Sequence, residues 1–183
     1  LRLGLGSAEL DIAGCVDEAV VRTVSHLAYQ PIETGTYNVC FTPEAFLSLL
    51  GAFSSMFNAR SVLDGVSLSK RESIDESLAV PFLSLHDDGL HPGHISAAAF
   101  DGEGTPTNNL CLIDRGKLKS FLHSEATARA FNVKPTGHAG LGAKVSVGPD
   151  WFVLGTSEGC SSGNNLDQST EKDTFVLIED LSA

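Results

Sequence analysis

The spacing between apolar residues changes along this chain, and that change limits the folds open to it. Before about residue 57, apolar residues recur every three or four positions, as on the face of an amphipathic helix. From Val80 onward they form short runs separated by turn residues, which is typical of strands. The sequence therefore predicts an α+β fold, an antiparallel domain rich in β-sheet with a central buried helix and one or two further helices.

Three helices are predicted. The first covers residues 11–28, where apolar and charged positions fall on opposite faces. The second begins after Thr42, a suitable N-cap followed by Pro43, and runs to about Phe57. Because its apolar residues cover more than one face, we expect this helix to be the central, buried one. A short third helix is predicted over 124–131, with Ser124 as its cap.

Short apolar runs predict the strands of the sheet. Between two of them, the turn Asp114-Arg115-Gly116-Lys117 predicts an antiparallel hairpin, because Gly116 can adopt the positive φ of a tight turn. The polar segment 156–170 predicts an exposed loop. The predicted strands are 37–41, 80–85, 95–100, 110–113, 118–122, 144–154 and 174–178.

Charge and composition exclude several classes of function. The 183 residues include 12 Lys and Arg against 23 Asp and Glu, a net charge of −11, which repels nucleic-acid phosphates and anionic lipid. No run approaches the roughly 18 apolar residues that span a bilayer. The four cysteines lie far apart without a Cys-x-x-Cys pair, as expected for reduced thiols. We therefore expect a cytoplasmic protein with no membrane segment and no direct contact with nucleic acid.

The segment 86–94 holds the densest cluster of candidate metal ligands. His86, His91 and His94 could bind zinc or another divalent ion together with neighbouring carboxylates. However, Pro92 and Gly93 prevent the helical register that would direct these imidazoles to one point. The pattern favours an ordinary loop between strands, and metal binding remains the alternative.

Two further segments carry polar residues beside glycines. Asp101 and Glu103 could serve as an acid and base pair, but an Asx-type turn with positive φ at the glycines is the favoured interpretation. The segment 136–142 is rich in glycine and could approach a ligand closely, although its spacing is not that of a dinucleotide site. His138 within it could act as a base, yet no partner for it is evident from the sequence.

Taken in order, these segments resemble the TldD/PmbA family, whose members are often labelled modulators of DNA gyrase. The ordered set spans more than a hundred residues, and Thr136-Gly137-His138-Ala139-Gly140 is similar to the PmbA branch, also called TldE. The other matching motifs are Tyr37-x-Val39-x-Phe41-x-Pro43-Glu44, Ser48-Leu49-Leu50-Gly51, Phe100-Asp101-x-Glu103-Gly104-x-x-Thr107, Ile113-x-x-Gly116-x-Leu118 and Ala128-Arg129.

The resemblance implies that residues 1–183 form part of a C-terminal domain, without the family's N-terminal α/β domain and its extreme C-terminal part. It also implies a structural role for the positions that match family motifs. Those positions are Asp101, Glu103, Gly104, Thr107, Gly137, His138 and Gly140.

The resemblance further implies a zinc metallopeptidase made of TldD and TldE subunits that acts on unfolded or peptide substrates. Only TldD carries the zinc-binding His-Glu-x-x-x-His helix, and the corresponding positions here are Gly51, Ala52 and Met56. None of the three can bind zinc or act as a base. We therefore expect a non-catalytic partner of a TldD-like subunit, with no catalytic or metal-binding residue in this chain and zinc only in the catalytic partner.

Two alternatives and one further expectation accompany this hypothesis. The chain could be a stand-alone metal-dependent hydrolase that uses the His86, His91 and His94 loop. It could also be a peptide-binding module that offers an exposed sheet edge to an extended substrate. When the catalytic partner is absent, we expect that the chain can pair with itself as a homodimer.

Overall fold

The computed structural model describes residues 11–27, 30–156, 175–179 and 181. The chain divides into two compact units, Leu1–Tyr37 and Asn38–Ala183. The first unit contains α1 (Ile12–His26), which begins where the Asp11 carboxylate accepts a hydrogen bond from the Gly14 N–H. This confirms the first predicted helix.

The described residues of the second unit form eight strands and three helices, in the order below. Two short 3₁₀ turns, Ser54–Phe57 and Arg71–Ser73, lie between them. The elements are β1 (Asn38–Phe41), α2 (Pro43–Ala52), α3 (Ala59–Leu63), β2 (Leu83–Asp88), β3 (Asn109–Asp114), β4 (Lys117–Leu118), α4 (Glu125–Phe131), β5 (Ala139–Gly140), β6 (Ser146–Val147), β7 (Phe152–Thr156) and β8 (Phe175–Ile178). The predicted α+β class is confirmed.

A four-stranded antiparallel sheet with the order β4-β3-β2-β7 forms the centre of this unit. The turn between β3 and β4 is the predicted hairpin, with Gly116 at φ 78°. A β-bulge interrupts the pairing of β2 with β3 between Leu85 and His86. Along β2, Leu85 and Asp87 are both buried, so an aspartate follows a leucine on the inner face of the sheet.

The hydrophobic core lies against this sheet. Leu85, Leu112 and Leu118 come from its strands, and Phe121 and Leu122 come from the segment that follows β4. The remaining members of the cluster are Phe57, Ala59 and Ile113. The predicted cap of α4 is confirmed, since the Ser124 hydroxyl accepts a hydrogen bond from the Thr127 N–H.

The prediction that the second helix is central and extends to Phe57 is wrong. Thr42 caps α2 as predicted, but the helix ends at Ala52, and Ala45 is its only buried residue. Leu47 and Phe53 are 47% and 43% exposed. Apolar residues on all sides of a helix predict that other surfaces cover it but not which ones. Here the buried core consists of residues from the sheet, the 3₁₀ turn at Phe57, α3 and the segment after β4.

Three predicted strands are shortened or absent. No strand forms over 95–100, because the His94 and Ala97 N–H groups bond within local turns and only Phe100 makes an isolated bridge. The predicted 118–122 strand is reduced to the end of β4. The 144–154 strand is split into β6 and β7 by Pro149, which lacks a backbone donor.

Two strands far apart in sequence pair in parallel, which the sequence does not predict. β1 pairs with β8, with Val39 opposite Val176. The loop predicted over 156–170 lies outside the described residues beyond Thr156. No helix among the described residues has the length and apolar character that crossing a membrane requires.

Candidate functional site

A cavity of about 360 Å³ brings together two sequence motifs that are separate along the chain. The first motif, residues 100–107, contributes Asp101 and Thr107 to the lining. The second motif, residues 136–140, contributes Gly137, His138 and Gly140. Residues of β6 and of the β6–β7 connection form another part of its wall, and one of these is Asp150. Because the two motifs share this cavity, it is the candidate functional site of the chain.

The Asp101 carboxylate joins the first motif to the second through hydrogen bonds. Its Oδ1 accepts hydrogen bonds from the N–H groups of Glu103 and Thr105, both at 2.9 Å, which is the arrangement of an Asx-type turn. Its Oδ2 accepts from the Ala139 N–H in β5 at 3.0 Å. Both carboxylate oxygens thus have backbone partners in different segments.

Glu103 is directed to another element. Its Oε2 accepts a hydrogen bond from the Glu125 N–H, 2.8 Å away, at the start of α4. A carboxylate there satisfies a backbone donor that the helix itself leaves without a partner. Since Asp101 and Glu103 bind different segments, their hydrogen bonds do not form an acid and base pair. A structural role for the two remains the interpretation that we favour.

The glycines of the second motif permit close packing. Gly137 has φ 78°, and a Cβ added there would lie 2.5 Å from the Pro106 carbonyl oxygen. A Cβ on Gly140 would lie 2.5 Å from Ser146 Oγ across the β5–β6 pair. In the first motif, Gly104 has φ 82° but open space around it. Thr107 of the same motif donates a hydrogen bond from its hydroxyl to the Ala98 carbonyl.

His138 is a lining residue whose side chain is buried, and that side chain contacts a residue that the sequence did not reveal. Its Nδ1 lies 2.9 Å from Thr136 Oγ1, and its Nε2 lies 3.4 Å from Asp87 Oδ2. The geometry at Nε2 does not form a hydrogen bond, so within the described residues this buried nitrogen has no hydrogen-bond partner.

Asp87 lies fully buried beside the candidate site, and the sequence analysis did not single it out. Its carboxylate accepts hydrogen bonds from the Asp150 N–H at 2.9 and 3.1 Å and from the Trp151 N–H at 2.6 Å. The signal was the two-residue alternation of β2, which places Leu85 and Asp87 on one face. A carboxylate on the inner face of a strand indicates a buried network.

Asp150 differs from the other carboxylates at the cavity. Burial raises the pKa of its carboxyl, His138 opposes that rise, and the neighbouring Asp87 carboxylate adds to it. Its own side-chain oxygens have neither a hydrogen-bond donor nor an ion-pair partner within the described part of the chain. Asp150 is thus the carboxylate that remains available to a ligand.

The three histidines of segment 86–94 do not converge. His86 Nδ1 lies 2.9 Å from Asn109 Oδ1. His91 stacks on Trp151 and His94 packs against it at a tilt of 31°, each with ring centroids 5.3 Å from the indole. Among the described residues, no three His, Cys, Asp or Glu side chains lie close enough to hold a metal ion. Two of the three histidines, His91 and His94, therefore share a contact with the Trp151 indole, and His86 is not part of this group.

The positions matched to the zinc motif do not fit a zinc ion. Gly51 and Ala52 end α2, while Met56 lies in the following 3₁₀ turn. Glycine and alanine offer no donor atom in their side chains, and a thioether is not among the imidazole, thiolate and carboxylate ligands of zinc. A Cβ added to Gly51 would meet no atom within 4 Å, so its substitution by a larger residue is sterically open.

Acid is expected to destabilise the fold through His123, whose N–H bonds to Thr136 Oγ1. Burial lowers the pKa of His123 to about 4, and His138 adds to the lowering. Unfolded histidine titrates near 6.5, so the unfolded state binds more protons between those values. Stability is therefore complete above about pH 6.5 and falls towards pH 4, by up to about 3 kcal/mol.

Urea unfolding of wild type and His123→Phe near pH 7 and near pH 4 would measure this loss. Phenylalanine keeps the ring contacts with Phe121 and Phe131 and removes the titrating group. The variant is expected to lose less stability on acidification than the wild type. Equal losses in the two proteins would contradict the assignment to His123.

Comparison with known protein families gives a match over most of the chain. The model of the PmbA/TldA metallopeptidase C-terminal domain matches residues 34–182. A metalloprotease of Methanocaldococcus jannaschii is 28% identical over 122 residues, which is 66% of this chain and 27% of that protein. A metalloprotease TldD homolog of Buchnera aphidicola is 32% identical over 65 residues, 36% of this chain and 14% of that protein.

Two solved structures share the fold. A candidate modulator of a DNA gyrase from Thermotoga maritima superposes with a TM-score of 0.77 at 30% identity, covering 84% of this chain and 35% of that one. TldE from Thermococcus kodakarensis superposes with a TM-score of 0.76 at 21% identity, covering 95% and 39%. The sequence thus spans between about a seventh and two fifths of the length of these proteins.

Proposed function

Because this chain belongs to the PmbA/TldA metallopeptidase family, we propose that it acts as the non-catalytic subunit of a cytoplasmic zinc metallopeptidase of the TldD/TldE type. The complex would cleave unfolded proteins or peptides. The relatives from Methanocaldococcus jannaschii and Buchnera aphidicola are both named metalloproteases. The subunit role, the partner and the substrate are the parts that this proposal adds.

The observation that carries the proposal is the chemistry at the end of α2. The zinc-motif positions hold Gly51, Ala52 and Met56, which supply neither a zinc ligand nor a general base. The backbone there also departs from one continuous helix, since α2 ends at Ala52 and Met56 follows in a 3₁₀ turn. Zinc would activate water in the TldD-like subunit, and no step of that chemistry is assigned to this chain.

The alternative of a stand-alone metal-dependent hydrolase has less support. It requires His86, His91 and His94 to reach one ion, but His86 bonds to Asn109 while the other two pack against Trp151. A metal would have to break these contacts before it gained its ligands. The subunit role needs no such rearrangement.

The gyrase label of the Thermotoga maritima relative does not lead us to propose DNA binding. A net charge of −11 repels a phosphate backbone, and affinity for duplex DNA depends on neutralising phosphates with Lys and Arg. We place the role of the chain in a protein complex instead. Alone, it would pair with itself, in keeping with a surface adapted to a related subunit.

Cleavage of an unfolded protein is the test of this proposal. The full-length protein, its TldD-like paralogue and their mixture would each be incubated with reduced, unfolded casein, with and without a chelator. We expect cleavage by the mixture, loss of that cleavage on chelation, and zinc bound by the paralogue. A paralogue whose zinc-motif glutamate is replaced by glutamine is the matched control, since it should form the complex without cleaving.

Two results would overturn the proposal. Cleavage by the full-length protein in the absence of the paralogue would make this chain an enzyme. A mixture that neither forms a complex in size-exclusion chromatography nor cleaves better than the paralogue alone would remove the subunit role.

A further inference from the structure

A segment outside the named strands covers one edge of the central sheet. β4 is the last strand in the order β4-β3-β2-β7, so one side of its backbone faces away from the sheet. Such an edge presents N–H and C=O groups with which another chain can pair, and proteins often cover it. Here residues 75–79 lie along this side, and Ser77 forms an isolated antiparallel bridge with Lys117. The outer edge of β4 is therefore occupied by the chain itself.

Leu118 directs both of its backbone groups towards this covering segment. Its N–H donates to the Glu76 carbonyl at 3.0 Å, and its carbonyl accepts from the Asp75 N–H at 2.7 Å. The next amide, that of Lys119, donates in the other direction, to the Leu112 carbonyl at 2.8 Å. These two neighbouring amides therefore report separately on the covering segment and on the sheet.

The far end of the segment is fixed to the hairpin and to the core. The Gly116 carbonyl accepts hydrogen bonds from the N–H groups of Leu78 and Ala79, at 2.8 and 3.0 Å. A Cβ added to Gly116 would lie 2.3 Å from the Ala79 carbonyl oxygen, so this approach requires glycine. Leu78 also packs against the hydrophobic core. We therefore expect residues 78 and 79 to stay in place when the rest of the segment moves.

The near end of the segment, at Asp75, is held by weaker interactions. Asp75 has φ 69°, a strained backbone conformation for a residue other than glycine, although aspartate tolerates it better than most. Its Oδ1 lies 2.6 Å from Lys119 Nζ, across 44 residues of sequence. The two side chains are 64% and 38% exposed, and an ion pair so open to water contributes little and is weakened by salt. We therefore expect the segment to open from this end.

The edge beneath the segment carries positive charge. Lys117 and Lys119 flank Leu118, and Lys119 has the Asp75 carboxylate as its partner. A second copy of this edge would bring like charges together, which is unfavourable between paired strands. An extended segment with a carboxylate opposite Lys119 matches the edge in its backbone groups and in its charge. The covering segment itself, with Asp75 and Glu76, has this composition.

We propose that residues 75–79 form an autoinhibitory strap on the outer edge of β4, which takes an extended, acidic segment of a partner protein when the strap opens. The strap is then an internal competitor. The affinity measured for the partner segment is reduced by the fraction of molecules in which the strap is open. This device goes beyond the proposed subunit role, because it involves neither zinc nor cleavage.

Residue-resolved hydrogen exchange in the full-length protein would measure the opening of the strap. Asp75→Val removes the carboxylate and disfavours positive φ, so we expect the Leu118 N–H to exchange about tenfold faster than in the wild type. Asp75→Asn keeps a residue that tolerates this backbone and should accelerate the exchange about threefold. Asp64→Val is the matched control, since it removes a carboxylate from the Arg60 ion pair at negative φ and should leave this exchange unchanged. The Lys119 N–H should exchange at the wild-type rate in all three variants.

A peptide with the sequence of residues 74–80, acetylated and amidated, is the probe for the partner segment. Calorimetry should show that it binds the Asp75→Val protein about tenfold more tightly than the wild type, because the competing strap is open more often. At saturation the peptide should restore the protection of the Leu118 N–H. The same peptide with asparagine and glutamine in place of its two carboxylates should bind several-fold more weakly.

Each measurement can overturn the proposal. Equal exchange of the Leu118 N–H in the wild type, Asp75→Asn and Asp75→Val would show that the strap does not open at Asp75. Absence of peptide binding to Asp75→Val, or equal affinity for the acidic and neutral peptides, would remove the acidic partner segment.

A second perturbation keeps the test decisive if Asp75→Val does not fold. Asp75→Asn then replaces it in the peptide titration, and the wild type in about 1 M sodium chloride replaces it in the exchange measurement. Salt screens the ion pair, so it should also speed exchange of the Leu118 N–H, and an unchanged rate would count against the strap. None of these outcomes depends on a paralogue, so the subunit role stands or falls separately.

Discussion

Replacing Asp87 with alanine is expected to lower the free energy of unfolding by about 3–5 kcal/mol. The carboxylate is fully buried and accepts hydrogen bonds from the N–H groups of Asp150 and Trp151. Its removal leaves both donors without an acceptor and leaves His138 without its neighbouring charge. Urea unfolding would show the loss as a lower midpoint with an unchanged m-value.

The adjacent residue provides the control. Asp88 is also a strand carboxylate, but its Oδ1 accepts a single bond from the Leu90 N–H at 3.2 Å, on the exposed side. Asp88→Ala should cost about 1 kcal/mol or less. Asp87→Asn should fall between the two, because one oxygen is kept while an amide N–H₂ faces a backbone donor. Similar midpoints for Asp87→Ala and Asp88→Ala would show that the buried network does not stabilise the fold.

Gly137→Ala is expected to destabilise the protein by about 3 kcal/mol or more. A Cβ at this residue lies 2.5 Å from the Pro106 carbonyl oxygen, and the backbone has φ 78°, which alanine disfavours. Because the obstacle is backbone rather than a flexible side chain, relief requires the two motifs to separate. Thermal and urea unfolding would measure the loss.

Gly104→Ala isolates the conformational part of that effect. Gly104 has nearly the same backbone conformation, φ 82°, but an added Cβ meets no atom within 4 Å. The expected cost is about 1 kcal/mol, from the positive φ alone. If the two variants were equally unstable, the close contact between Gly137 and Pro106 would not be the cause.

Features set by neighbouring residues could be predicted from the sequence. Thr42 before Pro43 and Ser124 before its helix both act as caps, because a hydroxyl reaches an N–H three residues ahead whatever the rest of the chain does. The hairpin at Gly116 depends in the same way on one residue with positive φ. These local preferences gave the α+β class and the order of most elements.

Features set by distant residues could not be predicted in this way. The partner of His138 is Asp87, which lies on another strand, and the hydrogen bonds of Asp101 to Ala139 join segments 38 residues apart. The exposure of α2 likewise depends on which surfaces cover it rather than on its own pattern. The sequence motifs therefore contain residues that line the cavity, but they did not predict the contacts of those residues.

The parallel pairing of β1 with β8 has a consequence for the order in which the chain acquires its structure. Thr42 Oγ1 donates to the Glu179 carbonyl across a separation of 137 residues, just beyond the strand pair. Closing so long a loop costs on the order of 4 kcal/mol of chain entropy before any contact is gained, whereas doubling its length would add only about 0.6 kcal/mol. We therefore expect the local hairpin and the capped helices to form before this strand pair. An insertion between the two strands is likewise expected to slow their pairing and to weaken the pair by about the same factor, because its entropic cost falls entirely on closing the loop.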